Sequence, residues 1–223
     1  MVYSRLAKRL RHHGMTRFTD YLSRLERQPD AKEWEAFTNA LTTNLTAFFR
    51  ESHHFPLLAD HIKHKPDPVT IWCSAASTGE EPYSIAMTLL ETLGPKASQA
   101  KVIATDIDTE ALAKARKGIY PQEQVRKLDE ARVKRFFQKG TGNHIGLARV
   151  RPEVSALVEF MPLNLVAPQW AVKGPIDAVF CRNIMIYFDK DTQAKILKRF
   201  APLMKPDGLL FAGHSENFSY ISD

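Results

Sequence analysis

The chain is poor in cysteine. Only Cys73 and Cys181 occur among 223 residues, which leaves no disulfide framework and points to a reducing cytoplasm. Long apolar runs are missing too, since none reaches the roughly 20 residues that span a bilayer. The opening Met1-Val-Tyr-Ser-Arg5 carries charge where an apolar core would lie, so it is not expected to act as a secretory leader. Acidic residues are scarce at the front. Residues 1–27 hold Arg5, Lys8, Arg9, Arg11, Arg17, Arg24 and Arg27 against Asp20 and Glu26, in a chain of formal charge +6. Such a face steers acidic partners, whether nucleic acid, anionic lipid or protein, although each residue can equally belong to a solvated helix face. Metal-ligand patterning is lacking: His12-His13 and His53-His54 split across helix faces, and His61 and His64 have no acidic or thiol companion. No metal site is expected. Repeats and low-complexity tracts are also missing.

What is present is patterned. Leu6, Leu10, Phe18, Leu22 and Leu25 predict helix over residues 2–28, with Gly14 separating two segments. Asp30-Ala-Lys-Glu33 has capping-box spacing and starts a helix through Trp34, Phe37 and Leu41. These segments predict a small helical domain over 1–43. A linker over 44–68 follows, with a helix through Phe55, Leu57, Leu58 and Ile62 and a proline-marked end at His64-Lys-Pro-Asp-Pro68.

From residue 69 to 223 strands and helices alternate. Strands are predicted at 69–76, 101–107, 157–163, 176–181 and 209–212, and helices at 82–93, 109–117 and 191–204, with a turn at Pro206-Asp-Gly208. Alternation of this kind means a doubly wound, mostly parallel sheet covered by helices on both faces. Residues 119–156 are too long for a simple connection. A helix at 129–138, the glycines of Gly140–Gly146 and an alternating strand at 147–154 predict an inserted antiparallel β-subdomain. A sheet closing at residue 212 would carry a bare edge, so a closing hairpin is expected beyond residue 223.

The stretch Trp72-Cys-Ser-Ala-Ala-Ser-Thr-Gly-Glu-Glu-Pro-Tyr-Ser84 carries the most chemistry. An apolar strand breaks into tiny residues and then opens a helix, which lets a ligand approach the backbone at a helix N-terminus. A second apolar run ends at Asp106, placed to accept ribose hydroxyls. Asp106 could instead cap the next helix, but Asp108 and Thr109 suit that role better. The loop lacks Gly-x-Gly-x-x-Gly, so an adenosyl group without a pyrophosphate fits it. Thr78-Gly-Glu-Glu81 has capping-box spacing, which assigns Glu81 to the helix and leaves Glu80 for the cofactor. Cys73 and Cys181 are expected as buried, inert thiols in neighbouring strands.

Asn44-Leu-Thr-Ala-Phe-Phe-Arg50, Ser77-Thr-Gly-Glu-Glu-Pro-Tyr83, Thr105-Asp-Ile-Asp108, Arg116-Lys-Gly-Ile-Tyr120, Pro162-Leu-Asn164, Cys181-Arg-Asn-Ile-Met-Ile-Tyr-Phe188 and Gly213-His-Ser-Glu216 run in order along the chain. Together they resemble the CheR-type chemotaxis receptor methyltransferases. The resemblance implies a class I methyltransferase fold, S-adenosylmethionine as methyl donor, and glutamate side chains of chemotaxis receptors as acceptors. Relative to the family the front of the helical domain is short and the last strands are missing.

The resemblance also assigns residues. It folds Asn44, Thr46 and Arg50 over the cofactor, with Arg50 meeting its carboxylate in a forked charged hydrogen bond. Without it, Asn44 and Thr46 would read as a turn or cap. Asn164 and Leu165 frame the adenine by analogy, although asparagine favours a strand-end turn in any case. Cys181, Arg182 and Asn183 line the cleft with backbone groups at the switch point. Methyl transfer to a glutamate, with a reference pKa of about 4.3, needs no general base. Positioning and desolvation carry the rate, and Arg182 or Tyr187 is offered as the donor that steadies the acceptor carboxylate. The basic residues Arg9, Arg11, Arg17 and Arg24 are expected to dock an acidic receptor bundle. The subdomain resembles one that captures a receptor's C-terminal peptide as an added strand, unless it is an ordinary packing insertion. A nucleic-acid methyltransferase would carry an Asp/Asn-Pro-Pro-aromatic segment where Arg182-Asn-Ile-Met-Ile-Tyr187 stands. An S-adenosylmethionine-binding regulatory module is the non-enzymatic alternative.

Overall fold

A computed structural model describes residues 2–28, 30–65 and 68–218. Pro66 and Asp67 of the expected linker lie outside the described residues, as do Ser219–Asp223. Four helices come first: α1 (Val2–His12), α2 (Phe18–Arg27), α3 (Ala31–Leu41) and α4 (His54–Ile62). Gly14, at φ 63°, sits in the break between α1 and α2. Leu6, Leu10, Tyr21 and Leu25 are buried at the centre of the first three helices. So small a core needs outside support. Arg5 supplies some by donating to the carbonyls of Leu41 and Thr42 at 2.5 and 3.1 Å, satisfying the end of α3.

Asp30 caps α3 by accepting from the Lys32 N–H at 2.9 Å, but the reciprocal half of the capping box is absent. Glu33 is instead buried, where it pairs with Arg9 and accepts the Tyr21 hydroxyl at 2.5 Å. This corrects the docking assignment of Arg9, whose guanidinium is consumed inside the helical domain. Arg11, Arg17 and Arg24 remain exposed. Burial works against the Glu33 charge, but hydrogen bonds from Arg9, Tyr21 and His13 outweigh it and hold the carboxyl down to about 2. A carboxyl depressed on folding contributes stability above its ordinary value of 4.5 and loses it as pH falls towards about 2. Unfolding midpoints measured across that window should therefore fall more steeply for the native chain than for Glu33→Gln.

The main domain runs β1 (Thr70–Cys73), α5 (Glu80–Leu93), β2 (Lys101–Asp106), α6 (Thr109–Lys117), β3 (Ile119–Pro121), α7 (Gln122–Val125), α8 (Glu130–Phe136), β4 (Phe137–Lys139), β5 (Leu147–Val150), α9 (Pro152–Ser155), β6 (Val158–Pro162), β7 (Ile176–Cys181), α10 (Lys190–Phe200) and β8 (Met204–Ala212). The five-stranded sheet has the order β6-β2-β1-β7-β8, and every pairing is parallel. Strand alternation divides the core in two. Ile71, Cys73, Val102, Ala104, Ala178 and Phe180 face α4 and α5, whereas Trp72, Ile103, Val179 and Cys181 face α10. Both thiols are free and buried in the adjacent strands β1 and β7, as expected.

Three expectations are corrected. The expected turn at Pro206-Asp-Gly208 lies within β8, and the register slips between Ile176 and Ala178 of its neighbour β7. The expected helix at 129–138 stops at Phe136, because Phe137–Lys139 pairs with β5. The expected strand at 147–154 stops at Val150, where Pro152 starts α9. The inserted sheet has the order β3-β5-β4 and is antiparallel.

Candidate active site

The carboxyl ends of β1, β2 and β7 lie side by side, because β1 pairs in parallel with both neighbours, and the space above them is the candidate cleft. After β1 the loop Ser74–Gly79 is pinned on both sides: Ser74 N–H donates to Phe180 O and Ala76 N–H to Thr105 O, each at 2.9 Å. Gly79 is required there. Its φ is 101°, and a Cβ would stand 2.7 Å from the Tyr120 hydroxyl and 2.9 Å from Ala115 Cβ. Tyr120 of β3 also donates to Thr78 O at 2.7 Å, so the inserted subdomain props the loop.

Gly79 is the N-cap of α5, with no side-chain capping bond, which corrects the capping-box assignment of Glu81. Glu80 accepts the Thr78 hydroxyl at 2.7 Å and is buried. Asp106 accepts Ser77 N–H at 2.7 Å on one oxygen and Asp108 N–H at 2.9 Å on the other. Burial pushes both the Glu80 and the Asp106 carboxyls up. Among the described residues no arginine, lysine or histidine is paired with either. Asp108 caps α6 through Ala111 N–H at 2.9 Å, as expected. Its other oxygen accepts Thr42 at 2.5 Å and Asn44 at 2.7 Å, and Asn44 in turn accepts the Ser77 hydroxyl at 2.8 Å. Asn44 thus reaches the loop that also holds Asp106, while Thr46 is half-buried beside it in the linker.

Residues 44–51 form a strap, in which Arg50 is half-buried and donates to Leu45 O at 2.8 Å. Arg182 was expected to face the acceptor, but the structure places it elsewhere. Its side chain is 1% exposed, pairs with Glu81 at 2.5 Å and lies 3.3 Å from Glu51. It also donates to Arg50 O at 2.5 Å. So bound, the guanidinium spends Nη1 and Nη2 on Glu81 and the strap, and its Nε has no partner among the described residues. Burial pushes Glu81 up despite Arg182; for Glu51 burial is outweighed by the His214 N–H and Arg182, and that carboxyl falls. Burial, reinforced by the charge of Arg182, lowers His54 to about 4 and keeps it neutral.

Among the described residues, four that are not glycine have left-handed backbone: Phe49, Glu51, Ser77 and Asn183, at φ 52°, 53°, 49° and 58°. All lie on the cleft segments, where such strain persists because surrounding bonds over-determine it. The turn after β7 is held by Glu216, which accepts from Ile184, Met185 and Gly213 N–H at 2.9, 2.8 and 2.5 Å. Glu51 and Glu216 were not singled out as site residues. Their signal was position, directly after Arg50 and inside Gly213-His-Ser-Glu216.

Tyr187 follows that turn and is 61% exposed at its rim. Asn164 is exposed, and its Oδ1 accepts Val166 N–H at 3.0 Å in a strand-end turn. The side chains of Leu165 and Cys181 are buried in the core on the α10 side, which leaves only backbone groups there to meet a ligand. Asn183 donates to Glu51 at 3.3 Å.

A buried and a half-buried carboxylate, Glu80 and Asp106, with no paired cation among the described residues suit a ligand that brings hydroxyl donors and positive charge. S-adenosylmethionine brings both, as a ribose diol and an ammonium, so the donor set fits it. A parallel doubly wound sheet with this donor set at its switch point, matched over residues 44–223 by an S-adenosylmethionine-binding methyltransferase domain, makes the chain a class I S-adenosylmethionine-dependent methyltransferase. The chain belongs to the CheR methyltransferase family. Residues 44–223 match the family's S-adenosylmethionine-binding domain and residues 1–42 its all-alpha domain. It is 60% identical to a chemotaxis protein methyltransferase of Klebsiella aerogenes over 222 residues, covering 100% of this chain and 77% of that protein. The Escherichia coli protein of that name is 60% identical over 99% of this chain and 77% of its own length. Chemotaxis protein methyltransferase 2 of Pseudomonas aeruginosa is 52% identical over 100% of this chain and 80% of its own. The chain is therefore a methyltransferase of chemotaxis that uses S-adenosylmethionine. No helix among the described residues is long and apolar enough to cross a membrane.

Proposed function

We propose that this enzyme works in the cytoplasm and esterifies glutamate side chains of chemotaxis receptors. The observation that supports this is a pair of carboxylates, Glu80 and Asp106, that no cation among the described residues pairs with, beside a strap whose Asn44 bonds the same Ser77 that donates to Asp106. In this reading Asp106 takes the ribose hydroxyls and Glu80 the ammonium end. Arg50 takes the carboxylate, Asn44 and Thr46 close over the donor, Asn164 meets the adenine edge, and backbone groups at Leu165, Cys181 and Asn183 line the cleft. Bound there, S-adenosylmethionine supplies an electrophilic methyl group. The acceptor glutamate is already an anion, so the protein has no proton to remove. Its task is to hold the carboxylate in line and keep water out. Tyr187, exposed beside the cleft, is the residue left to steady that carboxylate by hydrogen bonding.

In the same reading Arg11, Arg17 and Arg24, all exposed, dock the acidic receptor bundle. Arg11→Glu, Arg17→Glu and Arg24→Glu should each slow receptor methylation several-fold and weaken its salt dependence, with cofactor affinity unchanged. The inserted sheet gives a template for a receptor's C-terminal peptide. Since β5 is its central strand, that peptide would add to β3 or β4. Transfer of labelled methyl tests the whole reading. Base-labile label on receptor membranes supports it. Alkali-stable label on nucleic acid would replace it with the other enzyme class, and donor binding without transfer would leave a regulatory module.

A further inference from the structure

We infer that Glu51 is the positioning residue that sets Arg50 for the carboxylate of the donor. The inference rests on the reading of Arg50 given above and names what makes that reading possible. Arg50 stands between two strained residues, Phe49 at φ 52° and Glu51 at φ 53°. Left-handed backbone is costly for any residue with a Cβ and persists only where the surroundings enforce it.

The two residues are enforced differently. Phe49 N–H donates to the Ser84 hydroxyl at 2.9 Å, and its ring packs 4.7 Å from Phe55 with the Arg132 guanidinium 4.1 Å above it. That side is fixed by packing. Glu51 is fixed by its carboxylate. One oxygen accepts His214 N–H at 3.1 Å and lies 3.3 Å from Arg182 Nη2, and the other accepts Asn183 Nδ2 at 3.3 Å. Asn183 and Arg182 follow β7 and His214 follows β8, so one side chain ties the strap to the ends of two strands. Arg182 completes the grip by donating to Arg50 O at 2.5 Å while its other end pairs with Glu81. The backbone of Arg50 is thus held on both sides. Its guanidinium, which donates to Leu45 O, keeps further N–H groups for a carboxylate.

Glu51→Gly separates positioning from mere stability. Glycine takes the same φ freely, so the variant loses the anchor and the strain together. Calorimetric titration with S-adenosylhomocysteine is compared with 5′-methylthioadenosine, which keeps the adenosyl group but lacks the amino-acid carboxylate. Glu51→Gly and Arg50→Ala should each weaken S-adenosylhomocysteine by about tenfold or more and leave 5′-methylthioadenosine unchanged. Glu51→Gln keeps an oxygen for His214 but loses the charge that faces Arg182, and should fall between. If Arg50→Ala weakens S-adenosylhomocysteine and Glu51→Gly does not, the inference is overturned while the reading of Arg50 stands. Equal loss of both ligands in Glu51→Gly, with a lowered midpoint, would make Glu51 structural only. If Arg50→Ala binds S-adenosylhomocysteine normally, the reading of Arg50 and the inference fall together.

Discussion

Arg182→Met should cost the fold about 3–5 kcal/mol, because it strands the buried Glu81 and the half-buried Glu51 carboxylates. Methionine matches the arginine stem in bulk but leaves Glu51 and Glu81 without a cation between them. The Arg182 side chain is 1% exposed, so water cannot replace it. The expected signature is a lower urea midpoint with an unchanged slope. Adding Glu81→Gln should restore part of the loss, since one uncompensated charge is then removed. An equally stable Arg182→Met would show that the ion pairs do not hold the strap. The same measurement decides between the two roles of Arg182. A donor to the acceptor carboxylate would lower turnover and leave stability alone, whereas the buried clasp lowers both.

Asp106→Asn should weaken S-adenosylmethionine by about a hundredfold, or roughly 3 kcal/mol. Each oxygen of Asp106 already accepts one backbone N–H, from Ser77 and from Asp108. A carboxylate oxygen accepts more than one hydrogen bond, so each has room for a ribose hydroxyl. Asparagine keeps a single acceptor oxygen and turns its amide against a backbone donor. The variant therefore loses ribose contacts and one loop bond together. Calorimetry with a matched unfolding curve checks the result: a stable variant with native affinity would remove Asp106 from the cleft. Glu80 shares the same electrostatics, since burial lifts both carboxyls and a cationic, hydroxyl-bearing ligand relieves both.

The strand–helix alternation was legible because β1, β2 and β7 are short apolar runs that alternate with helical stretches. Their burial on both faces follows from a parallel sheet under helices. Asp106 and Asp108 were legible from position, one ending a strand and the other opening a helix. Arg9 and Arg182 misled for a common reason. A charged side chain in a sequence reads as exposed, and its burial depends on carboxylates far away in the chain: Glu33 for Arg9, and Glu51 and Glu81 for Arg182. Phe137–Lys139 misled because a short strand has no periodicity of its own. Pairing with β5 makes it one.

Local pattern settled the fold class, the helical front, the loop before α5 and the carboxylate at the end of β2. Each of these depends on side-chain period or on backbone freedom within a few residues. Three-dimensional packing alone chose which arginines face solvent, which glutamate clasps Arg182, and that Glu51 joins the strap to β7 and β8. Those choices rest on charges brought out of water beside partners from distant segments, an energy no local stretch of chain contains.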